Sequence, residues 1–142
     1  MKNYLWAAIS IAGIFLTIVF FSFAQTKQEG YVLEREAAIR HEEPGPHEGG
    51  GKTIAYPYFA KVPGVKVAFR KRVLYPGSSI GYHLQEKEEI YYIVQGRGEM
   101  NMNGKTLPVM AGDAVLTHPG NRHGLKPVGS DSLIVIINYL LE

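Results

Sequence analysis

From residue 53 onward, apolar and polar positions alternate in short runs, and each run ends in turn chemistry. Alternation of period two puts successive side chains on opposite faces of an extended chain. It predicts strands over residues 53–59, 65–75, 79–85, 89–95, 98–103, 105–110, 114–117, 123–127 and 132–140. The breaks fall at Pro76-Gly77, Gly96-Arg97-Gly98, Asn103-Gly104, Ala111-Gly112-Asp113 and Pro119-Gly120-Asn121. Asn103-Gly104 is the strongest of them, because both residues tolerate positive φ and so fit a two-residue hairpin. No stretch in this region carries a helical period. Closely spaced turns between short strands predict an all-β sandwich or barrel over residues 53–142.

Upstream the pattern changes. Residues 41–52, HEEPGPHEGGGK, read as loop by composition. Together with 25–40 they form an N-terminal arm, in which either a short strand around Tyr31-Val32-Leu33 or a short helix is possible. Residues 4–23 are nearly all apolar, and no charge follows Lys2 until Lys27. One reading is a secretory signal peptide cut after Ala24, with small residues at Ser22 and Ala24. The other is a membrane anchor, since about 20 apolar residues span a bilayer. Both place residues 25–142 outside the cytoplasm, in a periplasm or beyond, and only the anchor leaves a membrane contact.

Composition narrows the classes. At 142 residues there is room for one domain, and 46% apolar with 20% charged residues is ordinary for a globular one. The absence of cysteine excludes disulfide scaffolds, thiolate metal sites and cysteine nucleophiles. A net charge of +2 without a long basic run gives no nucleic-acid footprint.

Four residues have metal-binding chemistry at suggestive spacing. His83 and Gln85 share one strand face, Glu89 opens the next strand and can face back, and His123 follows a Pro-Gly turn. Two imidazoles, a carboxylate and an amide oxygen suit one divalent ion. Tyr91 and Ile93 share the parity of Glu89 and are candidate pocket walls. Glu89 and His118 are candidate proton carriers, histidine titrating near neutrality. Arg70 and Arg72 lie two apart on one strand face, where inward-facing guanidinium groups would bind an anionic substrate. The apolar alternate face, Val67, Phe69, Val73 and Tyr75, argues instead for arginines facing solvent. His47, in its glycine-rich loop, is a candidate to reach the pocket as a lid or extra ligand.

The order and spacing of these residues resemble the cupin superfamily. Its first motif is matched by Gly77, His83, Gln85, Glu89 and Gly96, and its second by Gly112, Gly120 and His123, with 15 residues between Gly96 and Gly112. Three positions depart from the motif: Gln85 stands for a histidine, His118 for a proline and Pro127 for an asparagine. The resemblance implies a double-stranded β-helix, or jelly roll, with a metal shell of His83, Gln85, Glu89 and His123. A glutamine oxygen in that shell favours Mn, Fe or Zn over Ni or Cu. The chain is most similar to small single-domain cupins of the mannose-6-phosphate isomerase-like type. The implied function is to bind or transform a small molecule such as a sugar or uronate, as an isomerase, epimerase or lyase. A metal-dependent dioxygenase and a non-catalytic ligand-binding or sensing cupin are the alternatives. Homodimers are common in the family, and exposed sheet edges need covering. The segment from Tyr31 and the strand 53–59 are the expected pairing elements.

Overall fold

The computed structural model describes residues 30–141; the signal or anchor segment lies outside them. Ten strands follow a four-residue helix α1 (Glu36–Ile39): β1 (His41–Gly45), β2 (Gly50–Tyr58), β3 (Val67–Leu74), β4 (Ile80–Leu84) and β5 (Glu89–Gln95), then β6 (Arg97–Met102), β7 (Lys105–Met110), β8 (Ala114–Thr117), β9 (Arg122–Pro127) and β10 (Leu133–Leu140). They form a six-stranded sheet ordered β1-β2-β3-β10-β5-β8 and a four-stranded sheet ordered β4-β9-β6-β7, with all pairs antiparallel. This is the predicted jelly roll. At the β6–β7 hairpin, Asn103 and Gly104 take φ of 51° and 83°, as their sequence requires.

The inner faces meet in one core, with Leu74, Met100, Leu125, Leu133 and Val135 at its centre. On β10, Leu133, Val135 and Ile137 face inward, and opposite them on β5 stand Ile93 and Tyr91. Burial at these positions follows the pleat, so the register cannot slip by one residue without exposing the whole row.

Residues 41–52 are not loop: they form β1 and the start of β2, paired from His41↔Ala55 to Gly45↔Gly50. Glycine and proline content suggested a loop, but in this hairpin the glycines serve close packing. A Cβ on Gly45 or Gly49 would lie 2.0 Å from the Ser79 carbonyl oxygen. The strand expected over 53–59 lies within β2, which runs between β1 and β3. Helix α1 settles the choice left open in the arm, and Tyr31, Val32 and Leu33 are exposed coil.

Strand β3 faces the opposite way from the solvent-facing arginines expected. Ala68, Arg70, Arg72 and Leu74 face the core side, while Val67 and Phe69 are exposed. Arg72 is 5% exposed and donates to Thr53 Oγ1 at 2.8 Å and Glu43 Oε1 at 2.6 Å. The pattern misled because the outer face of the large sheet is also apolar. Ile90, Tyr92, Val94 and Leu116 are all exposed there, and Ile90 pairs with Leu116 on the neighbouring strand.

Candidate functional site

A kink in β4 aims the first histidine. Ile80 pairs with Leu125 and His83 pairs with His123, so the register shifts between them. Three residues of β4 thus advance against two of β9, a β-bulge. Ile80 stays buried, Tyr82 is exposed, and His83 turns toward the interior beside His123. Strict alternation from Ile80 would have put Tyr82 and Leu84 inside instead. After the turn, Glu89 opens β5 opposite Thr117 of β8.

His83, Glu89 and His123 converge, with their donor atoms all within 4.8 Å of one another. His123 is fully buried, and its Nε2 lies 3.0 Å from Glu89 Oε2. Two ligands held about 2.1 Å from one ion at a right angle would be about 3.0 Å apart. Each imidazole has its other nitrogen occupied. Nδ1 of His123 is 2.8 Å from Thr117 Oγ1, and Nδ1 of His83 is 2.8 Å from the Gly81 carbonyl oxygen. A proton on Nδ1 that donates to these oxygens leaves both Nε2 lone pairs free, the usual arrangement of metal-ligating histidines. Burial holds the His83 imidazole below its ordinary range against the Gly81 hydrogen bond, and the charge of His123 adds to the effect.

Gln85 completes the group. Its amide nitrogen hydrogen-bonds Glu89 Oε2 and lies 3.2 Å from His123 Nε2. A donor therefore sits where acceptor lone pairs meet, as a cation would. Rotating the amide by half a turn presents its carbonyl oxygen instead. The donor set, two imidazoles and two oxygens, fits a divalent ion.

Above this group opens a pocket of about 300 Å³, lined by His47, Arg70, Arg72, His83, Gln85, Glu89, Tyr91 and Tyr139 among others. The Tyr91 phenol is pushed well above its ordinary range, by burial first and by the Glu89 carboxylate next, so it stays protonated. Arg70 lies over the Tyr139 ring, 5.5 Å from its centroid, and has no carboxylate partner among the described residues. His47 stacks on His83 with centroids 3.5 Å apart.

Two expected site residues are not brought here. His118 is exposed on the turn before β9, 3.1 Å from Glu88, and does not line the pocket. Ile93 is 1% exposed and belongs to the core. Ile93 shares the face of Glu89, but it packs in the core cluster with Tyr91 and does not line the pocket. Sequence reasoning missed Thr117 and Glu43. Thr117 carried one usable sign, a hydroxyl at the strand end facing Glu89; Glu43 carried none, because its segment read as loop.

The cupin domain family matches residues 71–139, which include every strand that supplies the cluster. The crystal structure of a predicted oxalate decarboxylase from Thermotoga maritima is 30% identical with a TM-score of 0.68, covering 78% of this chain and all (100%) of that one. The chain belongs to the cupin superfamily. An oxalate-binding protein of Thermotoga maritima is 44% identical to this cupin over 66 residues, 46% of this chain and 54% of the relative. The chain thus spans about half the length of the curated relatives it matches (54% and 59%). KdgF from Halomonas sp., at 20% identity and a TM-score of 0.61 over 80% of this cupin and 96% of KdgF, shares the fold.

Proposed function

We propose that this cupin holds one divalent ion through His83, Glu89, His123 and the carbonyl of Gln85, and uses it to bind a small carboxylate. One observation carries the reading: two imidazoles with their Nδ1 atoms occupied converge with a buried carboxylate, beneath a wall that bears a guanidinium, Arg70, without a carboxylate partner among the described residues. When bound, the ion supplies a Lewis acid for the ligand's oxygen. Arg70 takes the ligand's negative charge in a charge-assisted hydrogen bond. Arg72 holds the wall through Glu43. Tyr91 excludes water from below and keeps its proton.

A pocket of this size suits a small diacid or one sugar acid. The relative named as oxalate-binding supports the diacid, and the carboxylate is what both have in common. With His118 away from the pocket and Glu89 committed to the ion, the reading is of binding rather than turnover. An isomerase, lyase or dioxygenase remains the second reading. It is favoured only by the open side of the cluster, where a metal-bound ligand would face Arg70. The apolar segment 1–24 supports a site of action outside the cytoplasm.

Calorimetric titration of the metal-loaded chain tests the proposal. Oxalate and glucuronate are expected to bind and neutral glucose not to. Arg70→Ala should weaken oxalate by about ten- to a hundredfold, the loss of one hydrogen bond to a charged group. Equal binding of glucose, or oxalate binding to the metal-free protein, would reject it.

We also propose that a second copy covers the outer face of the large sheet. Ile90, Tyr92, Val94 and Leu116 are exposed there on the neighbouring strands β5 and β8, and a large exposed apolar patch marks an interface. Light scattering should give a dimer for the wild type and a monomer for Tyr92→Glu. A wild-type monomer at high concentration would remove the claim.

A further inference from the structure

His83 is the exposed member of the cluster. It is only half-buried, and Glu89 and His123 are not. A ligand at a pocket mouth must be held in two directions. Within the ring plane, the Gly81 carbonyl oxygen fixes Nδ1 at 2.8 Å. The His123 ring meets His83 in a T-shaped contact with centroids 4.7 Å apart. Out of the plane, one face of His83 is covered by His47, whose ring lies parallel to it within 5° at a centroid distance of 3.5 Å.

His47 comes from the β1–β2 loop, outside the matched residues 71–139. Its backbone takes φ of 53° and Glu48 takes 62°, a left-handed pair that non-glycine residues adopt at a cost. The loop is held there by backbone contact. Gly81 N–H donates to the Pro46 carbonyl at 2.9 Å, and Ser79 Oγ donates to the Gly49 carbonyl at 2.7 Å. No Cβ fits at Gly81, where it would lie 1.8 Å from the His47 carbonyl oxygen. One residue, Gly81, thus anchors both rings: its N–H holds the loop that carries His47, and its carbonyl holds His83.

We propose that His47 is a positioning residue, a flat clamp that keeps His83 aimed at the ion. It is not itself a ligand. Parallel rings 3.5 Å apart direct their nitrogen lone pairs in separate planes, and the convergent donor group is His83, Glu89 and His123 without it. The inference rests on the metal reading above and extends the site into the N-terminal hairpin.

His47→Ala removes the clamp, and His47→Phe keeps a flat ring without nitrogens. The readouts are Co(II) affinity by chelator competition and the electron paramagnetic resonance spectrum of the Cu(II)-loaded protein, with circular dichroism to verify the fold. His47→Ala should weaken Co(II) by about 10- to 100-fold, the usual effect of removing a group that orients a ligand, and should shift the Cu(II) spectrum. His47→Phe should stay within about threefold of wild type on both measures, since the stack and not the nitrogen acts. Wild-type behaviour of His47→Ala overturns the clamp alone. A fall in His47→Phe as deep as in His47→Ala also overturns it, by making His47 a ligand. A wild type that binds neither ion overturns the metal reading and the clamp with it.

Discussion

Replacing His123 with alanine is expected to abolish retention of a divalent ion and to lower the melting temperature, whereas His83→Ala should abolish retention at little cost in stability. Both histidines belong to the convergent donor group, so either loss removes a ligand. Removing a group that merely supports a ligand costs about 10- to 100-fold in affinity, and removing the ligand itself costs more. The two differ in burial. His123 is fully buried, its ring is 4.8 Å from that of Tyr91, and its Nδ1 pairs with Thr117. Alanine there leaves a cavity and an orphaned hydroxyl, costing about 2–4 kcal/mol on the scale of large-to-small core substitutions. His83 stands half-exposed at the pocket, and its truncation should stay within about 1 kcal/mol. Elemental analysis after dialysis against a weak chelator, together with thermal melts, checks both. Equal ion content in wild type and His83→Ala would end the assignment of these ligands.

Gly81→Ala is expected to be as damaging as any single added methyl group in the described chain. The new Cβ would stand 1.8 Å from the His47 carbonyl oxygen and 3.0 Å from Gly49 N, both backbone atoms that no rotamer change can move. The hairpin loop must lift from β4, breaking the bond from Gly81 N–H to Pro46 and carrying His47 away from His83. Overpacking of this kind costs about 2–3 kcal/mol. For a domain of this size that lowers the melting temperature by about 10 °C. Metal affinity should fall with it, in the direction expected for His47→Ala. Gly30→Ala, where nothing lies within 4 Å, is the silent control. An unchanged melting temperature in Gly81→Ala would mean that the hairpin is not seated on β4.

Much of this was legible in the chain itself. Alternation and turn residues located nine of the strands, because a half-buried strand needs an apolar face of period two and glycine, asparagine and proline mark where the backbone must reverse. Asn103-Gly104 dictates its hairpin through positive φ alone. The spacing of His83, Gln85, Glu89 and His123 suggested a cluster and the match to the cupin motif named it, and His83, Glu89 and His123 do converge. The orientation of β3 could not be read this way. Alternation says that Arg70 and Arg72 share a face, but with Val67 and Phe69 on one side and a large core on the other, only the packing of two sheets decides which face is inside. The bulge at Gly81 and Tyr82 is equally silent, because one extra residue reverses parity without changing composition. The first hairpin was hidden for a related reason. Its glycines, which locally mean freedom, become a requirement for close contact once Ser79 and Gly81 of a distant segment lie against them. Nine of the ten strands and the residues of the convergent donor group were thus legible locally. The tertiary structure decided facing, burial and the joining of His47 to His83, because these depend on contacts between segments far apart in the chain, which no local pattern encodes.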